Sequence, residues 1–235
     1  MSNVIQEFSR FAHQYDHYNI IQVQVAKILA EKIPLDNYST VLDIGCGSGE
    51  IFSKLQKKIK TFEHFVVLDS SEKMLEIHPQ TEIVTKVCAN FNDKNFIDAL
   101  PLKQYDLLLS SSALQWSNDL DFTVGKLSTL SNRFYAAIFT SGTFKTLHRI
   151  ANINSPIYSA EKLQETILEY YNDASFVLHH YTLDFDSVRE MLQYIKKSGV
   201  SGGEKKLSYR QIKYLMEKYP LDHLEFEVLF VDAKN

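Results

Sequence analysis

Residues 41–50 read Val41-Leu-Asp-Ile-Gly-Cys-Gly-Ser-Gly-Glu50. A short apolar run that ends in glycines is typical of a buried parallel strand followed by a tight turn. Three of the eight glycines, Gly45, Gly47 and Gly49, fall within five residues, ahead of a predicted helix over 50–60. Glycine permits positive φ and lets the backbone approach a ligand closely, so the stretch predicts a ligand-binding turn.

The spacing of these glycines narrows the choice of ligand. A dinucleotide fingerprint would need a glycine where Glu50 stands, and no Gly-Lys-Ser/Thr follows as a P-loop requires. Gly-x-Gly-x-Gly with Asp43 two residues before it resembles motif I of class I S-adenosylmethionine methyltransferases. That resemblance implies S-adenosylmethionine as cofactor and S-adenosylhomocysteine as product. A carboxylate suits the cationic amino and sulfonium groups of this cofactor, which has no phosphate to bind.

Further strands and helices alternate along the chain outward from this turn. Strands separated by helical stretches indicate βαβ units and a parallel sheet. We predict an α/β fold with a Rossmann-like doubly wound sheet of seven strands, the last antiparallel, in a single domain over 1–235. Its helical cap would comprise 143–172 and 187–219, the first of these helical throughout. The predicted strands begin at Thr40, His64, Glu82, Tyr105, Asn132, Phe176 and Leu224, and a further helix is predicted over 7–32.

Composition excludes several classes of protein. The 235 residues, 45% hydrophobic and 23% charged, suffice for an ordinary core without disulfides or a structural metal. A net charge of −4 gives no global basic field for nucleic acid. The only two cysteines, Cys46 and Cys88, are interpreted as packing residues. No signal peptide and no run near ~20 apolar residues is found, so we expect a cytoplasmic protein that contacts no membrane. We also expect a monomer.

Polar residues follow the second and third predicted strands, at the sheet edge where such folds bind ligands. Asp69 stands twenty residues after Gly49 and can accept both ribose hydroxyls; the alternative is a helix N-cap before Ser71. Asn90 stands where related proteins carry an aspartate beside adenine, and it keeps a carbonyl acceptor. The predicted cofactor-binding residues are Tyr15, Asp43, Gly45, Cys46, Gly47, Gly49, Asp69, Ser70, Met74, Asn90, Phe91, Ser110 and Ser111.

The acceptor side is predicted in the segment Ser110-Ser-Ser-Ala-Leu-Gln-Trp116, after the fourth strand. Gln115 and Trp116 offer neutral N–H donors that can orient a carboxylate and leave it nucleophilic. The alternative is a helix start with Trp116 in the core. We assign Gln115, Trp116 and Tyr18 to acceptor positioning, without a general base and without a metal. Arg133, Lys145 and Arg149 are further candidates for contacts to the acceptor.

Motifs along nearly the whole chain resemble the malonyl-acyl-carrier-protein O-methyltransferase (BioC) family of biotin synthesis. They include Phe8-x-Arg10-x-Ala12-x-x-Tyr15-Asp16, Asp69-Ser-Ser-Glu-Lys-Met-Leu75, Ala113-Leu-Gln-Trp116, Phe139–Phe144 and Tyr219-Pro-Leu221. The resemblance implies methyl transfer to the free carboxylate of a malonyl thioester. It also implies an acidic acyl-carrier protein bearing malonyl-phosphopantetheine as partner. A local basic excess suits that partner: Lys196, Lys197, Lys205, Lys206, Arg210, Lys213 and Lys218.

Other functions stay open at this stage. A trans-aconitate-type methyltransferase would need converging cationic groups around a tricarboxylate. A ring-carbon or quinone methyltransferase would want a general base, and a metal-dependent catechol enzyme would need carboxylates where Ser110-Ser-Ser112 stands. A non-catalytic module that binds the cofactor is a further alternative. The sequence does not separate carrier-protein from coenzyme A thioesters.

Overall fold

A single seven-stranded sheet forms the centre of the computed structural model, which describes residues 18–59, 62–197 and 207–235 apart from the side chain of Lys197. In space the strands run β3-β2-β1-β4-β5-β7-β6. Their bounds are β1 (Thr40–Ile44), β2 (His64–Asp69), β3 (Val84–Cys88), β4 (Leu107–Ser111), β5 (Arg133–Phe139), β6 (Asp173–Asp184) and β7 (His223–Lys234).

The directions of the strands confirm the predicted fold class. β1 to β5 pair in parallel, as βαβ units require. β7 runs antiparallel to β5 from the pair Arg133↔Lys234 to the pair Phe139↔Val228. β6 adds an antiparallel edge strand along the whole of β7, and it therefore begins earlier than the predicted Phe176.

Eight α-helices accompany the strands in the described part of the chain, together with 3₁₀ turns at Phe96–Ala99 and Leu114–Trp116. The bounds are α1 (Ile20–Lys32), α2 (Glu50–Lys58), α3 (Glu72–Ile77), α4 (Leu120–Ser128), α5 (Lys145–Ala151), α6 (Ala160–Tyr170), α7 (Val188–Lys197) and α8 (Tyr209–Lys218). Side-chain caps fix where several of these helices begin: Ser71 caps α3, Asp119 caps α4, and Ser208 forms a capping box with Gln211 on α8.

The helices cover both faces of the sheet. One core contains Leu29 of α1 and Phe52 of α2, together with residues of α5, α7 and α8. The other contains Leu127 of α4 and Ile167 of α6. Neighbouring β1 residues point to opposite cores, Val41 to the first and Leu42 to the second, which is why the strand is apolar throughout.

The segment 143–172 is not helical throughout, contrary to prediction. Residues 152–159, which we call the strap, separate α5 from α6. Asn152 ends α5 in the left-handed region with φ 52°, Pro156 disfavours helix, and the Ser159 side chain caps α6. Helix α6 lies on the opposite sheet face from α5, α7 and α8. The division of the chain into a methyltransferase domain and a helical cap of 143–172 and 187–219 stays a prediction.

Of the predicted helix over 7–32, residues 7–17 lie outside the described part, Tyr18 and Asn19 are not helical, and α1 forms the rest. Among the described residues, no helix combines the length and the apolar character needed to cross a membrane.

Candidate functional site

A cavity lies at the carboxyl ends of β1 and β4, where the strand order reverses direction. Loops after these two strands diverge, and open α/β sheets bind ligands in the resulting crevice. The cavity encloses about 1320 Å³ including its open mouth. Twelve predicted residues line it: Asp43, Gly45, Cys46, Gly47, Asp69, Ser70, Met74, Asn90, Phe91, Ser111, Gln115 and Trp116.

The glycine turn after β1 needs its glycines for two different reasons. Gly45, Gly47 and Gly49 have φ of 71°, 53° and 89°, a region that other residues rarely adopt. A Cβ on Gly45 would stand 2.2 Å from the Cβ of Ala113, so this position is closed by packing. A Cβ on Gly47 would meet nothing within 4 Å. Gly47 therefore leaves open space at the cavity, as a turn that a ligand approaches closely requires.

Asp69 fastens the glycine turn to the end of β2. Its Oδ2 accepts from the Gly47 N–H at 3.0 Å and its Oδ1 from the Ser71 N–H at 2.8 Å. Burial raises the pKa of the Asp69 carboxyl, while the backbone N–H groups of Ser71 and Gly47 lower it. Ser71, not Asp69, is the N-cap of α3, so the helix-cap alternative for Asp69 is wrong.

Asp43 is fully buried beside the cavity, and neither carboxyl oxygen has a hydrogen-bond partner among the described residues. Burial, with the neighbouring Asp69 charge, raises the pKa of Asp43 to about 8. A buried carboxyl without a partner costs free energy unless a ligand completes its hydrogen bonds. The ammonium group of S-adenosylmethionine is a cation of the required kind, and the residues present therefore fit this cofactor.

The loop after β3 supplies the predicted adenine side. Asn90 Oδ1 accepts from the Asn92 N–H at 3.0 Å, which closes a turn and holds the Asn90 side chain. Phe91 and Asn92 also line the cavity. A carbonyl oxygen has two lone pairs, so the Asn90 amide keeps acceptor capacity.

The predicted acceptor end lies after β4. Trp116 Nε1 is buried and has no hydrogen-bond partner among the described residues. The Gln115 amide nitrogen donates to the Ser112 carbonyl at 2.7 Å, and Gln115 Oε1 is left unpaired there. Ser112 has φ 60°, so Gln115 holds a residue in the strained left-handed region. Trp116 thus presents an unused donor, whereas one N–H of Gln115 is already used.

Three of the predicted site residues lie in the described part of the chain but do not line the cavity. Ser110 is fully buried and its hydroxyl donates to the Ile44 carbonyl at 2.9 Å, which ties β4 to β1. Gly49 caps α2, where a Cβ would meet His78 and Pro79 at 2.7 Å. Tyr18 packs with its ring 6.2 Å from that of Tyr194. Tyr15 lies outside the described residues.

The two cysteines differ in their exposure to solvent. Cys46 is buried, and burial raises the pKa of its thiol well above the usual value, as expected of a packing residue. Cys88 is exposed, so the interpretation of Cys88 as a packing residue is wrong. It ends β3, an edge strand in which Thr85 and Cys88 are exposed.

Sequence reasoning missed several lining residues from distant segments. Gln22 and Ala26 lie four apart on α1 and so share one face, and Pro156 comes from the strap. The Gln22 side-chain oxygen is buried and unpaired among the described residues, a feature that only the structure shows. The remaining lining residues that were not singled out are Ser48, Glu50, Ile51, Ser71, Asn92, Ser117 and Asn118, while Ser112 and Ala113 lie in the predicted acceptor segment.

Comparison with known proteins shows which enzymes the chain resembles. A family model described as a methyltransferase domain matches residues 42–132, which include the glycine turn, Asp69 and Trp116. The malonyl-[acyl-carrier protein] O-methyltransferase of Haemophilus influenzae is 27% identical over 215 residues, 87% of this chain and 80% of the relative. The enzyme of the same name from Acetivibrio thermocellus is 29% identical over 230 residues, 84% and 78% of the two chains. The resemblance stated from the motifs is thereby confirmed.

Solved structures agree on the fold. A chain in the complex of the Haloferax volcanii Trm112 methyltransferase activator with a methyltransferase has TM-score 0.61 and 16% identity, with 97% of both chains covered. A methyltransferase of an antibiotic pathway from Anabaena variabilis has TM-score 0.62 and 13% identity, covering 91% of this chain and 97% of its own.

Proposed function

Because the chain is an S-adenosylmethionine-dependent methyltransferase, we propose that it methylates the free carboxylate of malonyl-acyl-carrier protein to give the methyl ester used in biotin synthesis. The observation that supports this most is the alignment with relatives of that name over more than four fifths of the chain. The cavity adds a buried, unpaired N–H donor at its acceptor end.

We assign the cofactor to the glycine-turn side of the cavity. S-adenosylmethionine supplies an electrophilic methyl group on a sulfonium. Asp43 would bind the ammonium group, which completes its unpaired oxygens. Asp69 would accept the ribose hydroxyls with its remaining lone pairs, since each ionised carboxylate offers about four acceptor sites. Asn90 and Phe91 would contact adenine.

The acceptor carboxylate would lie against Trp116. Its indole N–H would donate to one oxygen and leave the other free to attack. Gln115 would act through Ser112, whose backbone it holds, rather than as a first donor. A neutral donor orients the anion and leaves its charge in place. A buried arginine would instead neutralise that charge.

No general base is needed in this scheme. A carboxylic acid with a pKa near ~4 is ionised at neutral pH, and the described lining contains no histidine. A carboxylate oxygen would form a bond to the methyl carbon while the carbon–sulfur bond breaks, and the sulfur keeps the electron pair as a thioether. Since an anion and a cation are neutralised together, exclusion of water and in-line positioning would supply most of the acceleration.

The proposal is tested by offering carrier protein that bears either malonyl or acetyl groups. Only the malonyl form has a free carboxylate, so we expect it alone to gain the mass of one CH₂ group. Methylation of both forms would place the methyl group elsewhere and would overturn the proposal.

Trp116→Phe is expected to lower turnover about 10- to 100-fold, the range for one hydrogen bond to a charged group. The ring stays and only the N–H is lost. Cofactor affinity should remain within about threefold, because the donor lies on the acceptor side. Steady-state kinetics with malonyl carrier protein and cofactor titration by calorimetry measure the two quantities separately. Loss of cofactor binding in a folded variant would contradict the acceptor assignment.

We further propose that the acidic carrier protein docks on helix α8 and its neighbour α5. Gln211 Nε2 of α8 donates to the Ala151 carbonyl of α5 at 2.9 Å, which joins the two helices. Five basic side chains on them are exposed, beside the exposed Tyr209, Tyr214 and Met216. These are Lys145, Arg149, Arg210, Lys213 and Lys218. Lys196 on α7 is exposed too, while Lys205, Lys206 and the side chain of Lys197 lie outside the described part.

Reversing two of these charges with Arg210→Glu and Lys218→Glu is expected to lower kcat/KM for malonyl carrier protein about 10-fold at low salt. Turnover of a small malonyl thioester should stay within about twofold, since it needs no docking surface. Lys103→Glu, an exposed position before β4, is the matched control. Equal losses on both substrates would contradict docking at this surface. Carrier-protein activity should also fall more steeply with added salt than activity on the small thioester.

A further inference from the structure

The backbone around Trp116 is fastened by side chains from two distant segments. Asn92 Nδ2 donates to the Trp116 carbonyl at 3.2 Å, and Asn92 Oδ1 accepts from the Asn118 N–H at 2.7 Å. From the strap, the Tyr158 hydroxyl donates to the Ser117 carbonyl at 2.9 Å. Two consecutive carbonyls, at 116 and 117, therefore each have a side-chain donor from elsewhere in the chain.

Local structure alone would hold this segment poorly. Trp116 ends a single 3₁₀ turn, Leu114–Trp116, that has no side-chain cap. Such short turns have weak hydrogen-bond geometry. Ser112, two residues before that turn, has φ 60°. Within the loop, the Ser117 hydroxyl adds a hydrogen bond to the Asp119 carbonyl, and the contacts of Asn92 and Tyr158 supplement it from outside.

The two fastening residues come from the two sides of the cavity. The Asn92 N–H closes the turn that holds Asn90, on the predicted adenine side. The Tyr158 carbonyl accepts from the Ser141 N–H at 2.8 Å, which joins the strap to the loop after β5. The neighbouring strap residue Pro156 lines the cavity itself. The loop after β3 and the strap therefore meet the loop after β4 at the Trp116–Asn118 segment, and the strap is joined in turn to the loop after β5.

We propose that Asn92 and Tyr158 are positioning residues that hold the Trp116–Asn118 segment and so fix the indole N–H toward the acceptor. This inference rests on the proposed function for the role of that N–H. Asn92 contacts Asn90 through its backbone N–H and the 116–118 segment through its side chain. The loop that holds Asn90 and the loop that carries Trp116 are therefore connected. Neither residue is assigned a contact with the reacting atoms.

Trp116 is the only tryptophan, so intrinsic fluorescence reports this segment directly. Asn92→Ala removes both side-chain hydrogen bonds but keeps the backbone N–H that holds Asn90. Tyr158→Phe removes one hydroxyl and keeps the ring. Asn95→Ala, on the same loop, exposed and without a side-chain cap bond, is the matched control.

For Asn92→Ala and for Tyr158→Phe, acrylamide quenching of Trp116 fluorescence is expected to increase, with S-adenosylhomocysteine present at saturation. Turnover should fall about 5- to 10-fold in each, and the cofactor dissociation constant should stay within about threefold. The quenching experiment uses no acceptor, so it can succeed even if malonyl carrier protein proves not to be the substrate.

Quenching and turnover equal to those of the wild-type protein in both variants would overturn the inference. So would equal changes in Asn95→Ala, because the effect would then belong to the loop in general. If Asn92→Ala loses thermal stability, the result for Tyr158→Phe alone decides whether the inference holds. This variant lacks only the hydroxyl that donates to the Ser117 carbonyl.

Discussion

At neutral pH, binding of S-adenosylmethionine is expected to release close to one proton, and that proton comes from Asp43. The carboxyl is buried, both oxygens are unpaired among the described residues, and its pKa is raised to about 8. It is therefore mostly protonated in the free protein at pH ~7. An ammonium group beside it favours the ionised form, so the pKa falls on binding and the proton leaves.

The pH dependence of affinity follows from this linkage. Below pH ~8 the logarithm of the association constant should rise by about one unit per pH unit, because binding and proton release are coupled. Calorimetry in buffers of different ionisation enthalpy measures the number of protons released. Asp43→Asn should abolish the release and weaken binding about 100-fold, the range for a charge-assisted pair. Wild-type proton release that does not depend on Asp43 would contradict the assignment.

In the protein without cofactor, Asp43 is expected to lower the folding stability as the pH rises, whereas cofactor affinity rises with pH. The folded pKa of Asp43 lies above the unfolded value of 3.8, so its contribution to stability is present at low pH and is lost as pH rises to about 8. Asp43→Asn should therefore be more stable than the wild-type protein near pH 8 in the absence of cofactor. Thermal unfolding measures this, and the result separates loss of binding from misfolding.

Two glycine substitutions are expected to have different effects, one on the folding stability and the other on the cofactor affinity. Gly45→Ala puts a methyl group 2.2 Å from the Ala113 Cβ at a φ of 71°. Overpacking and positive φ together cost about 2–5 kcal/mol. For a chain of this size the expected fall in Tm is roughly 10 °C.

Gly47→Ala is the matched variant. Its φ of 53° costs about 1 kcal/mol, and the added methyl group contacts no protein atom within 4 Å. It occupies open space at the cavity instead, so cofactor affinity should fall about 10- to 100-fold while Tm changes by only a few degrees. Calorimetry and thermal unfolding on the pair measure both effects. Wild-type affinity in Gly47→Ala would show that the ligand does not approach this turn.

Much of the sheet could be predicted because its signals are local. The apolar run before Gly45 and the acidic residue ending β2 place the cofactor edge without any tertiary information. Parallel pairing brings such strand ends to one edge, so Asp43, Asp69 and Trp116 fall around one cavity.

The parts that could not be predicted depend on contacts between distant segments. The strap looks helical by composition, but Asn152 and Pro156 interrupt it, and only the tertiary fold places Pro156 at the cavity. The exposure of Cys88 depends on β3 being an edge strand, which strand length and hydropathy do not indicate. Asn92 is one asparagine among several in a polar loop, and its two hydrogen bonds to the 116–118 segment appear only in three dimensions.

The measurement that tests the central claim most directly is a competition among acceptors. Malonyl-acyl-carrier protein, malonyl-coenzyme A and trans-aconitate are offered together with S-adenosylmethionine, and the methylated products are resolved by mass spectrometry. We predict that the malonyl carrier protein gains one methyl group far faster than either competitor. Transfer to trans-aconitate alone, with the malonyl thioesters left unchanged, would contradict the proposed function.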